Sequence, residues 1–466
     1  MRADAQSQAP GFEPAQLEIE VTRLLHELPR SAIGLCVAYS GGLDSTVLLT
    51  ALARRSGPLA SLPLRAIHVD HGLLPESQQW SRRCGEIAAA LGVPCRLLQV
   101  DAHAPRGASP EAWARRVRRA AFAAALAVDE CLLTAQHADD QLETVLLQLL
   151  RGGGPAGIAG MPRSAPLGRG WQLRPLLGVT RAGLRRWADA QRLEWVEDPG
   201  NRDLRFDRNY LRHAVLPQLR GRWPHAALTV AQSARLTAEA LELVDLTAAA
   251  DLATVREGRT LPMATLDRLP EIRRRAVLRA WIALCGLPLP SVRTLAALRR
   301  DLWRAAPDRV PCARWQDARV YRYRDRLYAD RETVGHADVV RSWPTAQSIA
   351  LGGGGWLELQ PARGKGLSRA RLPATLELRP RRGGELFRPT AGAHARPLRK
   401  WLQERGVLPW LRDRVPLVYA GDTLVAIGDL GYGAEFAAHE DEDAWLIHWR
   451  GRPVLTEAEA RGSDPG

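Results

Sequence analysis

Four apolar runs alternate with segments of helical periodicity between residues 33 and 150, and this alternation limits the possible folds more than any other feature of the chain. The runs begin at Ile33, Leu64, Pro94 and Glu130. A strand that leads through a helix into the next strand returns to the same sheet in a parallel orientation. We therefore predict an α/β fold with a doubly wound parallel sheet.

The first apolar run ends in a short polar loop, Ser40-Gly41-Gly42-Leu43-Asp44-Ser45. Glycine allows a sharp turn and a close approach to a ligand. Because a helix begins near Asp44, its free N–H groups and the positive end of its dipole face this loop, which predicts an anion site. The loop contains no lysine and is too short for the GxxxxGK[ST] motif. An ordinary strand–turn–helix corner is the alternative.

Two further polar clusters follow other predicted strands. One runs from His68 through Asp70 to His71-Gly72-Leu73, and the other from His137 to Asp140. Ligands of parallel sheets bind beyond the carboxyl ends of the strands, where these clusters and the loop are all expected to lie. The sequence therefore predicts that three distant segments form one site.

Several acidic residues are expected near the bound phosphates, and bare carboxylates would repel them. A bridging Mg²⁺ is therefore predicted, with Asp44, Asp139 and Asp140 as its candidate ligands. For Asp139 and Asp140 the alternative is capping of a helix N-terminus, and both roles can coexist. His137 is a candidate acid or base near neutral pH, or a residue satisfied locally.

The chain holds two lysines, Lys365 and Lys400, and both lie far beyond the predicted phosphate site. A cationic side chain that stabilises the phosphates there must therefore be arginine. Arg115, Arg118 and Arg119 are predicted on one helix face, with Arg115 and Arg118 as the first candidates.

The formal net charge of +14 and the pI of about 10.3 favour a polyanionic partner such as nucleic acid. The six cysteines form no CxxC pair, so we predict neither a zinc site nor a disulfide framework. No segment has the apolar length of a membrane span, and no signal architecture is visible at residue 1 onward. A cytoplasmic protein is expected.

A glycine-rich stretch at residues 151–161 is predicted to be a mobile loop beside the site, without helix or strand. The predicted organisation is an N-terminal helix (1–30), the α/β domain with the phosphate loop (31–224), a mainly helical domain (225–345), a linker (346–370), a small α/β domain (371–450) and a tail (451–466) whose last dozen residues are expected to be disordered.

Several motifs together carry a family resemblance. They are Ser40–Ser45, His68–Leu73, Glu111–Arg115, Thr134–Glu143, Arg151-Gly152-x-Gly154, Arg174–Leu177, Trp195–Pro199 and Arg208–Arg212. With these motifs the chain resembles the tRNA(Ile)-lysidine synthases, a family of the ATP-pyrophosphatase (PP-loop) superfamily. The likeness is strong over residues 33–225 and moderate over 370–440. Arg119 departs from a tyrosine common in the family, and Gly200 from a serine.

The resemblance implies an ATP-dependent ligase that acts on isoleucine tRNA with a CAU anticodon. Its wobble cytidine would be adenylated, and free L-lysine would then displace AMP at C2. The implied cofactors are ATP and Mg²⁺, with residues 31–224 as the ATP-binding catalytic domain and residues 225–345 and 371–450 as the tRNA-contacting and tRNA-binding domains. The implied ATP-binding residues are Ser40, Gly41, Gly42, Leu43, Asp44, Ser45, His68 and Asp70, and the implied catalytic residues are Asp44, Arg115, His137 and Asp140. The candidate tRNA-binding residues are Arg151, Arg205, Arg208, Arg212, Arg381, Arg382 and Lys400. A homodimer is the assembly to test.

Three other functions fit parts of the sequence. A tRNA thiolation enzyme of the same superfamily is disfavoured because such enzymes commonly use paired cysteines. A small-molecule amidotransferase-type synthetase is disfavoured because that function does not explain the basic C-terminal half of the chain. A non-catalytic RNA-binding protein with an ATP fold does not explain the intact loop and acidic cluster.

Overall fold

A computed structural model describes residues 11–72, 77–105, 107, 110–197, 203–306, 309–332, 340–351, 355–389, 392 and 394–462. The chain divides into two compact units, the first ending at Leu243 and the second beginning at Val244. Within the described residues, no helix combines the length and the low polarity needed to cross a membrane.

The first unit is built on a six-stranded sheet with the order β3-β2-β1-β4-β6-β5. Its strands are β1 (Gly34–Ala38), β2 (Leu64–Asp70), β3 (Cys95–Gln99), β4 (Glu130–Leu133), β5 (Ser164–Leu167) and β6 (Gly170–Leu173). β1 pairs in parallel with β2 and β4, β2 with β3, and β4 with β6. The predicted parallel α/β fold is confirmed. β5, which pairs antiparallel to β6 at one edge, was not predicted.

The helices of the first unit are α1 (Pro14–His26), α2 (Leu43–Ala53), α3 (Gly57–Ala60), α4 (Ser77–Ala90), α5 (Pro110–Ala125), α6 (Ala138–Leu150), α7 (Pro155–Ile158), α8 (Arg181–Ala190), α9 (Asp207–Tyr210) and α10 (Leu216–Arg222). A π-helical turn, Leu211–Val215, joins α9 to α10. α11 (Ala226–Val255) follows and contains the division between the units.

The core of the first unit lies between the sheet and its helices. β1 is buried along nearly its whole length, and α2 packs its apolar residues, such as Val47, Leu48 and Leu52, against it. Helices on both faces explain why these strands are apolar without alternation. The core fixes β1 and α2, and with them the loop that joins them.

Two local predictions in the glycine-rich stretch and the tail were wrong. Residues 151–161 contain α7, because Pro155 occupies its first turn and because the Gln141 side chain exchanges hydrogen bonds with the backbone of Met161. The tail contains α16 (Glu457–Gly462), in which Ala460 is buried and Glu459 accepts from the backbone N–H groups of Leu455 and Thr456. Asp198 and Pro199 of the Trp195–Pro199 motif and the neighbouring Gly200 lie outside the described residues.

The second unit combines short helices with antiparallel sheets. Its remaining helices are α12 (Met263–Asp267), α13 (Glu271–Leu284), α14 (Val292–Arg304) and α15 (Leu398–Glu404), with a 3₁₀ turn at Pro409–Arg414. The first sheet has the order β7-β10-β9-β8, from β7 (Leu261–Pro262), β8 (Cys312–Trp315), β9 (Ala318–Tyr323) and β10 (Arg326–Arg331). β9 and β10 form a hairpin around residues 324–326, with Arg324 and Asp325 at positive φ.

Three further sheets complete the second unit. Their strands are β11 (Arg341–Pro344), β12 (Ile349–Ala350), β13 (Trp356–Arg363), β14 (Leu367–Ser368), β15 (Thr375–Arg379), β16 (Leu386–Phe387), β17 (Arg396–Pro397), β18 (Leu417–Ala420), β19 (Thr423–Ile427), β20 (Gly431–Tyr432) and β21 (Asp443–Arg450). α15, β18 and β19 give the region 371–450 both helix and strand, as expected of a small α/β domain. The predicted domain boundaries remain predictions.

Candidate active site

The phosphate loop (Ser40–Ser45) lies at the carboxyl end of β1 and leads directly into α2. Ser40 Oγ and Ser45 Oγ are 3.0 Å apart, and Ser45 Oγ donates to the carbonyl of Gly42 at 3.0 Å. The serines therefore stabilise the loop from within. The first N–H groups of α2 have no carbonyl partner in a preceding helical turn, so they are available to an anion.

Gly41 is the residue that this loop geometry requires to be glycine. Its φ is +80°, and a Cβ added there would lie 2.5 Å from Cys84 Sγ on α4. Its carbonyl accepts from the backbone N–H of Val196 at 2.9 Å. The loop is thus held between α4 and the segment around residue 196.

We expect Gly41→Ala to abolish measurable ATP binding while leaving the fold intact. The substitution combines a strained left-handed backbone, which costs about 1–2 kcal/mol, with displacement of α4 or the loop. Gly57→Ala is the matched control, because Gly57 also has positive φ (+57°) but no atom within 4 Å of the added Cβ. Titration with a fluorescent ATP analogue measures the affinity and thermal melting the stability. Equal ATP affinities in the two variants would contradict this role for Gly41.

His68 and Asp70 close the β2 side of the site. His68 is buried and its Nδ1 lies 2.9 Å from the carbonyl of Tyr39, immediately before the loop. Burial lowers the pKa of His68, against the opposing effects of that carbonyl and of Asp70, so the neutral ring is favoured. Asp70 accepts from the N–H of Gly72 at 2.9 Å and caps the turn after β2. Through these contacts His68 holds the residue that precedes the phosphate loop, and Asp70 stabilises the turn at the end of β2.

Asp44 and His137 meet between the loop and α6. His137 Nε2 lies 3.5 Å from Asp44 Oδ2 and 3.4 Å from Asp140 Oδ2. The other Asp44 oxygen, Oδ1, is buried without a hydrogen-bond partner among the described residues, and Arg181 Nε is 3.9 Å away. Asp44 therefore presents one unsatisfied carboxylate oxygen beside the phosphate loop.

His137 is also the N-cap of α6. Its Nδ1 accepts from the N–H of Asp140 at 3.3 Å, and Asp140 Oδ2 accepts from the N–H of His137 at 3.1 Å. This reciprocal arrangement is a capping box. Burial would lower the pKa of His137, but Asp140, Asp44 and Asp139 together raise it. In the tautomer that makes this cap, Nδ1 keeps its lone pair and the proton on Nε2 faces the carboxylates of Asp44 and Asp140.

Asp139 is engaged by a second set of groups. Arg220 Nη2 lies 2.6 Å from its Oδ1, and the backbone N–H of Arg181 donates to its Oδ2 at 2.7 Å. Asp139 thereby caps α8 and pairs with a guanidinium of α10. Both of its oxygens are used within the protein.

Asp140 and Glu143 share two arginines from the helix that contains the π turn. Glu143 is 1% exposed and accepts from Arg208 Nε and Arg212 Nε, both at 2.7 Å. Asp140 Oδ1 lies 3.3 Å from Arg208 and 3.1 Å from Arg212. Burial raises the pKa of Asp140, but His137, Arg208 and Arg212 bring it below its usual value. The four side chains form a buried ionic network.

These contacts test whether the residues suit Mg²⁺. Among the described residues, no three His, Cys, Asp or Glu side chains are grouped to hold a metal ion by themselves. Mg²⁺ commonly uses one or two carboxylates, with substrate phosphates and water supplying the other ligands. The orphaned Oδ1 of Asp44 fits that requirement, whereas the oxygens of Asp139 and Asp140 already face cations or N–H groups.

The arginines predicted to bind substrate are distributed over different environments. Arg115 is exposed on α5. Arg151 and Arg205 are exposed and pair with Asp207 and Asp203, respectively. Arg208 and Arg212 instead point into the ionic network.

The other three predicted tRNA contacts belong to the second unit. Arg381 pairs with Asp413 at 2.9 Å and keeps only 14% of its side chain exposed, while Arg382 is exposed. Lys400 lines a groove of about 880 Å³ with Arg405 and Arg461.

The sequence analysis gave no role in the site to Glu143, Arg174, Arg181 or Arg220. Glu143 could have been found from its position three residues after Asp140, which places both carboxylates on one face of α6. Arg181 and Arg220 carry no such signal, because α8 and α10 meet Asp139 only in the folded chain.

Family models match three parts of the chain. A PP-loop domain matches residues 14–219, a TilS substrate binding domain residues 261–328, and a TilS substrate C-terminal domain residues 376–449. The first contains the phosphate loop, His68, Asp70, the acidic residues of α6 and their arginine partners, except Arg220, which lies one residue beyond it.

Relatives named tRNA(Ile)-lysidine synthase match most of the chain. The protein from Alkalilimnicola ehrlichii is 44% identical, with 87% of this chain and 92% of the relative covered. The one from Methylococcus capsulatus is 40% identical, covering 89% and 95%. The one from Coxiella burnetii is 38% identical, covering 94% and 96%.

Proposed function

Because the chain belongs to the family of tRNA(Ile)-lysidine synthases, we propose that the carboxyl edge of its first sheet adenylates the wobble cytidine of a CAU-anticodon isoleucine tRNA. The chain is a ligase that joins L-lysine to C2 of this base and releases AMP and pyrophosphate. The modified anticodon then pairs with an isoleucine codon instead of the methionine codon. The observation that carries the proposed mechanism is the unsatisfied Asp44 Oδ1 beside the phosphate loop.

ATP binds through the phosphate loop in this proposal. The N-terminus of α2 and the positive φ of Gly41 bring backbone N–H groups to the phosphates, and the dipole of α2 favours their charge. Asp44 would hold Mg²⁺ together with phosphate oxygens. When bound, the ion neutralises charge on the phosphates and thereby favours departure of pyrophosphate. The wobble C2 oxygen attacks the α-phosphate and pyrophosphate leaves, while the N-terminus of α2 holds the phosphates in position.

His137 positions Asp44 in this mechanism. Both ring nitrogens are engaged, Nδ1 by the N–H of Asp140 and Nε2 by the carboxylates of Asp44 and Asp140. A general base needs a lone pair that faces the substrate's proton. The ring does not offer one, so we assign His137 to holding the carboxylate and capping α6 rather than to deprotonating lysine.

The cysteines give a physical reason to set the thiolation alternative aside. Burial raises the pKa of Cys36, Cys84 and Cys131 to about 12. The charges of neighbouring groups have smaller effects on these pKa values. Burial also raises the pKa of Cys285 to about 11. A nucleophilic cysteine requires a lowered pKa. These thiols are protonated near neutral pH and unsuited to sulfur transfer.

The second unit would contact the body of the tRNA. Its groove presents Lys400, Arg405 and Arg461 to solvent, and exposed cations of this kind pair with backbone phosphates. A cytoplasmic location and a homodimeric assembly remain part of the proposal.

An assay of AMP release tests the function. We expect AMP to appear when ATP, L-lysine and an unmodified isoleucine tRNA transcript are all present. A matched transcript with uridine at the wobble position should release less than about one hundredth as much, because discrimination by hydrogen bonds to one base reaches this size. Equal AMP release from both transcripts, or release without tRNA, would refute the proposal.

A further inference from the structure

Arg174, which follows β6 at the carboxyl edge of the first sheet, is a buried cation that pairs with no carboxylate among the described residues. It is 7% exposed. Its Nη1 donates to the carbonyl of Pro162 at 2.7 Å, while its Nε is buried and has no hydrogen-bond partner among the described residues. Burial, followed by the neighbouring charges of Arg115 and Arg119, lowers the pKa of Arg174 to about 10. The guanidinium is charged at neutral pH and strongly desolvated.

Two more arginines, Arg115 and Arg119, lie close enough to Arg174 for their charges to act on it. Arg115 and Arg119 are four residues apart on α5 and therefore share a helix face. Arg119 donates only to neutral oxygens, Gln172 Oε1 at 3.2 Å and the carbonyl of Pro166 at 3.1 Å. Throughout the described residues, no carboxylate pairs with any of the three guanidiniums within 4.0 Å. Like charges repel, so this arrangement is stable only if something offsets it.

One neutral carbonyl does not offset the burial of a cation. A buried charge is normally paired with an opposite charge and has its remaining donors satisfied. Arg174 has one satisfied donor and one unsatisfied donor in the interior, with two exposed arginines nearby. An anion that enters from solvent between Arg115 and Arg119 would supply the missing partner, and arginine's planar fork suits phosphate oxygens.

The position of β6 indicates which phosphate this is. In the sheet, β4 lies between β1 and β6, so the ends of β1 and β6 are two strand spacings apart, about 10 Å. The ATP phosphates bind at the end of β1 in the proposed function. An anion at the end of β6 therefore fits the second substrate. We propose that Arg174, with Arg115 and Arg119, binds a backbone phosphate of the tRNA beside the wobble nucleotide; this inference rests on the proposed function.

The test measures tRNA affinity and ATP affinity separately in the full-length protein. Arg174→Gln and Arg119→Gln are compared with Arg96→Gln, which alters an exposed arginine on β3 at the opposite edge of the sheet. We expect Arg174→Gln to weaken binding of the unmodified tRNA transcript about tenfold, since a charged hydrogen bond is lost. The slope of log affinity against log salt should fall by about 0.7, as for one single-stranded phosphate contact. Arg119→Gln should act in the same direction, and Arg96→Gln should change neither quantity.

The outcomes separate this inference from its rivals. Weaker binding of an ATP analogue without tRNA, and unchanged tRNA affinity, would assign the site to ATP or pyrophosphate and overturn the proposal. Unchanged affinity for both substrates would make Arg174 a structural support for the Pro162 segment. If Arg174→Gln does not fold, Arg119→Gln and Arg174→Lys decide by the same measurements. Absence of lysine- and tRNA-dependent AMP release by the wild-type protein would instead refute the proposed function itself.

Discussion

Asp44→Asn is expected to lower the rate of tRNA adenylation by about 100- to 1000-fold, the usual consequence of removing one preorganised group that stabilises transition-state charge. The substitution keeps the shape of the side chain and the start of α2. It removes the negative charge of a carboxylate whose Oδ1 is buried without a hydrogen-bond partner among the described residues. The loop would still bind the ATP phosphates through its backbone, but residue 44 could no longer hold the Mg²⁺ that we propose for this site.

A single-turnover experiment without lysine measures this step directly, as adenylated tRNA formed from a pre-bound complex. Asp189→Asn is the charge-matched control, because Asp189 pairs with Arg185 on the exposed surface of α8. His137→Asn is the informative second variant: asparagine is a good N-cap, so α6 stays capped while the contact with Asp44 is lost. We expect it to slow adenylation less than Asp44→Asn. Normal adenylation by Asp44→Asn would remove Asp44 from the chemistry.

The order of strands and helices around the phosphate loop was predictable because local pattern and tertiary structure agree there. Apolar runs such as the one at β1 are buried on both faces, so their composition reports their position. β5 escaped prediction because it is a short edge strand containing Pro166, with no alternation of its own. α16 escaped because its few apolar residues are buried by contacts that no local pattern records.

The site was predictable in its location but only partly in its connections. Three clusters were expected at one sheet edge because parallel strands end there, and Asp44 and His137 do meet. Which cation faces which carboxylate depends on the path of the chain after β6. From the sequence, Arg208 and Arg212 were predicted to contact tRNA. In the structure both donate hydrogen bonds to Glu143. Arg174 looked like part of a motif, and only its burial distinguishes it.

The network of Glu143, Asp140, Arg208 and Arg212 connects α6, which carries the site, to the helix with the π turn. Glu143 lies at its centre, since it accepts from both arginines through Nε and additionally from Arg212 Nη2 at 2.9 Å. The arginine side chains are 25% and 22% exposed, so little solvent screens these pairs. Desolvation makes such a network a weak source of net stability when intact, but removing one member leaves the others uncompensated.

Glu143→Gln is accordingly expected to lower the free energy of unfolding by about 3 kcal/mol, because Asp140 is then the one carboxylate among the described residues that still pairs with the two partly buried guanidiniums. Urea denaturation followed by circular dichroism measures the change. Glu239→Gln is the matched control: it removes the same charge from an exposed pair with Arg235, and should change stability by less than about 0.5 kcal/mol. Adenylation should fall as well, since Asp140 and the His137 cap would shift with the arginines. If the two variants were equally stable, Arg208 and Arg212 would have solvent or alternative partners, and the network would not be what holds the π-turn helix against α6.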